Sequence, residues 1–203
     1  MPASTVSPAS RGRPREFDTD AALDAAIRVF SERGFHATSI GDLTAATGLA
    51  SGSVYKAFQD KRGLFLAALE RYKSVRDAAL RRAIAPGASG RERLRLALAF
   101  YADASHGPLG RLGCLVIGGA TELATFDDEV ARWVAQALVR IEAVLGDLLR
   151  EGAADGSVPP GTDAPATARA LLCMVQGMRL VGKTGRTRKD MRALVDVAMK
   201  MVG

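Results

Sequence analysis

From Asp18 onward, apolar residues return every three or four positions in segment after segment, and no convincing strand-type alternation interrupts them. A chain patterned this way buries helix stripes against one another and has no material for a sheet. The spacing predicts an all-α fold of roughly nine helices. The first runs over residues 19–33, with Leu23, Ile27 and Phe30 on one face and Gly34 placed as a left-handed C-cap. Ser39 caps a short helix that ends at Thr47 before Gly48, and Ser51 is expected to cap another over 52–58. A longer helix spans 61–82 with Leu64, Phe65, Leu69 and Tyr72 on its buried stripe.

Beyond the turn at Pro86–Gly90, helices are expected over 91–105 and 114–124, joined by a glycine-rich link from His106 to Gly113. Asp127 and Asp128 open a long helix to about 151, in which Val130, Val134, Ala137, Ile141, Val144 and Leu148 alternate spacings of 3 and 4. Two more helices, 164–181 and 187–202, follow a loop that contains Pro159 and Pro160.

With 203 residues, 48% hydrophobic and 25% charged, the chain holds one large or two small domains and needs no disulfide or metal staple. No apolar run approaches the roughly 18–20 residues of a membrane span. The N-terminal stretch lacks the apolar centre of a secretory signal, so an intracellular, reduced, cytoplasmic protein is expected. Cys114 and Cys173 show no metal-ligand spacing, and His36 and His106 are the only histidines. No metal, no cofactor and no catalytic constellation is expected.

The net charge of +6 is weighted toward the N-terminus, with 13 basic against 9 acidic residues up to Arg82 and 15 against 13 beyond. Arg11, Arg13 and Arg15 crowd one short arm, which suits phosphate backbones or anionic lipid surfaces.

Residues 35–58 carry the functional signal. Two short helices meet at Gly48, where a sharp turn needs a left-handed backbone, and Ile40, Leu43, Leu49, Val54 and Phe58 form their shared core. Ser51, Ser53, Tyr55 and Lys56 are left pointing outward: hydroxyls, a phenol and a cation, suited to phosphates and base edges in a major groove.

At these residues the sequence resembles the TetR family of bacterial transcriptional regulators. Gly34-Phe35, Thr38-Ser39-Ile40, the run Thr47 to Phe58, and Asp60-Lys61-Arg62-Gly63-Leu64 fall in the family's order and spacing over about residues 18–72. Ala57 stands where the family usually has an aromatic or His, and Arg62 where it usually has Glu, the latter expected to alter surface charge. The resemblance implies a helix-turn-helix domain with DNA contacts at Arg13, Thr38, Ser39, Ser51, Gly52, Ser53, Tyr55, Lys56 and Lys61. It implies a homodimer on double-stranded operator DNA, released by a small-molecule inducer.

The expected organisation is a basic arm (1–16), a helix-turn-helix domain (17–62), a linking helix (63–82) and a ligand-binding and dimerisation domain (83–203). Candidate pocket residues are Phe100, Tyr101, His106, Cys114, Trp133, Met174 and Met178, with Glu122, Gln176 and Arg179 as polar possibilities. Their aromatic character points to a hydrophobic or aromatic inducer. Alternatively, Cys114 is a thiol sensor, with Arg111 near it in sequence; Cys173 lies in an apolar run and is expected in the core. An all-α enzyme or carrier, or an architectural DNA-binding protein without an inducer, are the other classes open. Ile141 and Val175 are expected in a dimer interface built from the helices 127–151 and 164–181. Gly177 to Thr184 matches a phosphate-loop spacing, but no strand precedes it.

Overall fold

The structure, a computed structural model, describes residues 18–203; the arginine arm, with Arg13, lies outside the described residues. The described residues form ten α-helices and one 3-10 turn, and no strand. Three helices make the N-terminal head: α1 (Thr19–Arg33), α2 (Ile40–Thr47) and α3 (Ser51–Phe58). Local chemistry sets their ends. Asp18 accepts from the Ala21 N–H at 3.1 Å, and Ser39 and Asp42 form a reciprocal capping box. Gly48 closes α2 at φ 69°. Ser51 does not act as the cap that its residue type suggests; it is the first residue of α3, and Ala50 precedes it without a side-chain cap.

A 24-residue helix, α4 (Lys61–Ile84), leads out of the head. It is followed by α5 (Gly90–Asp103), α6 (Gly107–Leu112), α7 (Leu115–Glu122), α8 (Asp128–Ala154), α9 (Ala164–Val181), the 3-10 turn Gly182–Thr184 and α10 (Arg188–Lys200). The glycine-rich link of the sequence is thus largely a short helix, α6, started by Pro108 near its N-terminus. The phosphate-loop spacing falls on the end of α9 and the 3-10 turn. There Gly182 lies against the Ser105 carbonyl, which accounts for the glycine without a nucleotide.

Two apolar clusters fill the interior. One joins α5, the second half of α8, α9 and α10, with Leu94, Leu98, Leu145, Leu149, Leu171 and Met191 almost wholly enclosed. The other does not stop at the head. Phe30, Leu43, Val54, Phe65 and Leu69 pack with Leu115 and Val116 of α7, with Leu123 just past its end, and with Val130 and Val134 of α8. Phe65 meets Phe30 and Phe35 edge-to-face, at 5.0 and 5.2 Å between ring centroids. Each such side chain contributes about 1.5–3 kcal/mol when fully buried, so the head is cemented to α7 and α8.

Two expectations about α9 are corrected: Cys173 is exposed and Val175 is fully enclosed, while Ile141 of α8 is half-buried. The run from Leu171 to Val175 is apolar on every side, so composition could not tell which face turns inward. The outward apolar line consists instead of Ala135, Val139 and Ala143 on α8 and Ala166, Cys173 and Leu180 on α9, with Val139 67% exposed.

Candidate DNA interface and effector cavity

On α3, Val54 is buried as the anchor, and Ser51, Gly52, Tyr55, Lys56 and Ala57 are exposed, with Ser53 half-buried. The free N–H groups of the first turn add a positive partial charge at the same end. The exit from α3 is tightly specified. Gln59 adopts φ 68°, and the Asp60 N–H closes a γ-turn onto the Phe58 carbonyl at 2.8 Å. Asp60 then caps α4 by accepting from Gly63 N–H at 2.7 Å. Only glycine fits at 63, since a Cβ there would stand 1.9 Å from the Phe58 oxygen.

Three residues expected at DNA are otherwise engaged. Thr38 is corrected outright: it is 1% exposed and its hydroxyl donates to the Gly34 carbonyl at 2.6 Å, so its side chain faces the protein. Ser39 is exposed, but its Oγ donates to Asp42 and accepts from the Asp42 N–H. Lys61 donates to the carbonyls of Phe35 and Thr38, both at 2.9 Å, and lies 4.3 Å from the centre of the Phe35 ring. Its ammonium ties the α1–α2 corner to α4.

The same corner is held from the other side by Glu122, at the end of α7. One carboxylate oxygen accepts from Phe35 N–H at 2.8 Å and from His36 N–H at 3.3 Å, and the Glu122 carbonyl lies 3.3 Å from His36 Nε2. Gly34, at φ 80°, admits this approach, because a Cβ would come within 2.2 Å of the carboxylate. Glu122 is therefore a clamp on the head and not a pocket residue. Arg62, expected to alter surface charge, also bridges the two halves. It donates to Asp127 at 2.5 and 2.8 Å and to Glu129 at 2.8 Å, and its hydrogen bonds bring the Asp127 carboxyl down to about 2.

A cavity enclosing about 540 Å³, its mouth included, opens between α4, α5, α8 and α9. Space for the centre of a water-sized molecule is only about 50 Å³, several times what one water needs. Of the expected lining residues, Tyr101, Cys114 and Trp133 are present, together with Gln176 and Arg179. The others are corrected. Phe100 stacks under Arg76, 4.2 Å from its ring centre, and His106 precedes α6 beside Asp103. Met174 and Met178 sit in the groove between α9 and α10. Sequence reasoning missed Tyr72, Lys73, Arg76 and Asp77, which α4 contributes to the wall. Tyr72 was legible only as one member of a buried stripe.

The cations around the cavity are mostly matched: Lys73 pairs with Glu70, Arg140 with Asp77 at 2.8 Å, and Arg76 with the aromatic rings. Arg179, 5% exposed, donates to the carbonyls of Ala104 and Gly113. It stands beside Cys114, a position the sequence offered to Arg111, which is exposed. Burial pushes the Tyr101 phenol up to about 12. Among the described residues no cluster of three or more His, Cys, Asp or Glu is placed to hold a metal, and no helix is long and apolar enough to cross a membrane.

A head of three helices with polar groups displayed on the third, welded to a helical body that contains a cavity, is the architecture of a helix-turn-helix DNA-binding protein with a separate helical body. Comparison with known proteins agrees. Residues 22–68 match "Bacterial regulatory proteins, tetR family", and residues 90–198 match "Tetracyclin repressor-like, C-terminal domain". The HTH-type transcriptional repressor ComR of Escherichia coli (strain K12) is 32% identical over 194 residues, 95% of this chain and 92% of that one. YezE of Bacillus subtilis (strain 168), an HTH-type transcriptional regulator, is 33% identical over 94% of this chain and 99% of its own. A cysteine mutant of the TetR-family regulator CifR, solved with 26-base-pair operator DNA, superposes with a TM-score of 0.83 at 28% identity, covering 93% of this chain and 98% of that one. The chain belongs to the tetR family of bacterial regulatory proteins: it is a DNA-binding transcriptional regulator, not an enzyme.

Proposed function

We propose that the protein acts in the cytoplasm as a homodimeric repressor, released from its operator by a small, largely apolar effector bound in the α4–α5–α8–α9 cavity. The head (17–62) docks α3 in the major groove, with Ser51, Gly52, Ser53, Tyr55 and Lys56 as the reading face. Ser39, the remaining proton of Lys61 and the arm at Arg13 add phosphate and minor-groove contacts. The linking helix (63–82) passes between head and body (83–203), and the apolar line on α8 and α9 meets its copy across a two-fold axis.

The observation that carries this reading is the placement of the cavity. Its wall includes Tyr72 of α4 and Val116 of α7; α4 leads directly out of the head, and α7 packs against it and ends at Glu122 on its corner. A ligand that favours one packing of these helices changes the separation of two recognition helices, which must match a spacing of about 34–36 Å. Footprinting on DNA upstream of the protein's own gene tests it. Protection of two half-sites one turn apart supports the reading. Uniform affinity for all sequences would mean an architectural protein instead.

A further inference from the structure

Cys114 occupies a position that simple ligand capture leaves unused. It is the residue before the first turn of α7, so its sulfur lies where the Val116 and Ile117 N–H groups point. The Tyr72 hydroxyl donates to Sγ at 3.5 Å. Arg179 lines the same cavity, and its Nε is buried with no acceptor, although the guanidinium is otherwise held by two carbonyls. A buried donor left without an acceptor calls for an explanation. A ligand oxygen supplies one.

The electrostatics fit the geometry. Burial opposes ionisation of the thiol, but the Arg179 charge, the Tyr72 hydroxyl and the helix N–H groups outweigh it and hold the thiol below its usual range. Burial, reinforced by the neighbouring sulfur, keeps the Tyr72 phenol high and therefore protonated. A nucleophile, a proton donor and a buried cation thus converge in a small, mostly apolar space.

We propose that Cys114 is the covalent attachment point for the effector, a small uncharged α,β-unsaturated aldehyde or ketone. The inference rests on the regulator reading and names the substrate class of its cavity. The thiolate pair forms a C–S bond at the β-carbon as the C=C π bond breaks and electrons move to the carbonyl oxygen, which Arg179 Nε–H stabilises. The enolate then takes a proton at the α-carbon, by way of Tyr72 or water, matching the proton lost when the thiol ionised. S–H has been added across C=C, with no net oxidation. The wall charges are already paired with one another or stacked on rings and the rest of the lining is mostly apolar, which disfavours a charged reagent, and the limited space excludes a long one.

The test uses the full chain, methyl vinyl ketone, its saturated counterpart butan-2-one, and Cys173 as an exposed internal comparator. Peptide mass mapping at pH 6.5 should show Cys114 alkylated about tenfold faster than Cys173, although it is the less exposed thiol. Tyr72→Phe, which removes the hydroxyl that donates to Sγ, should slow Cys114 alone and move its rate–pH profile upward. The adduct should weaken binding to the upstream DNA fragment by roughly 5- to 150-fold. Butan-2-one should have no such effect, and the response should vanish in Cys114→Ser. Faster reaction at Cys173, an adduct that leaves DNA affinity unchanged, or release by hydrogen peroxide but not by the enone would each overturn the proposal. Failure of the unmodified protein to bind any upstream DNA would instead sink the regulator reading, and the alkylation ratio would still be measurable.

Discussion

At Glu122, one carboxylate oxygen serves two backbone donors, Phe35 and His36, more than eighty positions away in sequence. Removing it strands the part-buried Phe35 N–H and frees the exposed His36 N–H, so Glu122→Ala should cost about 1–3 kcal/mol in thermal unfolding and speed amide exchange at Phe35 and His36. An unchanged exchange rate there would show that the clamp does not act. Lys61 works on the same corner by donation to two carbonyls. Lys61→Met should therefore lower the melting temperature in the absence of DNA, which a residue kept only for phosphate would not do. Tyr55, half exposed on the reading face, belongs to the opposite case. Tyr55→Ala should leave the melting temperature nearly unchanged and cost about 1–3 kcal/mol in operator affinity, with a smaller loss on non-specific DNA. Residue type revealed Tyr55 as an outward polar group, because one helix turn decides it. The engagement of Thr38 and Glu122 was hidden, because it depends on contacts that only the folded corner creates.

Among the elements, the helix starts were legible wherever a side chain caps its own turn, as at Asp18, Ser39, Asp127 and Thr187. They were misjudged where the cap is absent, at Ser51, or where glycine disguises a helix, at α6. The join between α3 and α4 is the most exacting of these elements. Gly63→Ala would drive a methyl group into the Phe58 carbonyl and should destabilise the head by on the order of 2 kcal/mol. Circular dichroism melts would register it, and a melt equal to that of the unsubstituted protein would refute the packing. On α9 the problem was one of facing: an apolar run satisfies several registers around the helix axis, and only its neighbours choose among them. Cys173 and Val175 exchanged their expected places for that reason.

For the whole molecule, the all-α class and the functional motif could be read from spacing, whereas the union of head and body could not. It depends on Arg62 meeting Asp127 and Glu129 across 65 and 67 positions. Asp127 has its folded pKa lowered to about 2 from an ordinary 3.8, so its contribution is complete above the higher value and is lost as pH falls toward the lower. Melting temperature should drop between those values, and Asp127→Asn should flatten that part of the profile. In the assembled protein, Val139→Lys, on the outward line of α8, should yield a folded chain with a light-scattering mass near 21.4 kDa in place of about twice that. Val175→Glu should unfold the chain, because that side chain has no exposure.

The eight-residue α7 begins at the cavity, with Cys114 before its first turn, and ends on the head, with Glu122. A strut with both ends engaged transmits in both directions. Conjugate addition of a thiol to an enone is reversible, so thermodynamic reciprocity then requires that operator DNA change the equilibrium for effector attachment by the same factor as attachment changes DNA affinity. Operator-bound protein should therefore be the least receptive to the signal that dislodges it, and unbound copies should fill first. In a cell, the size of the free pool would set the threshold of the response, so the number of operators becomes part of the sensor's calibration.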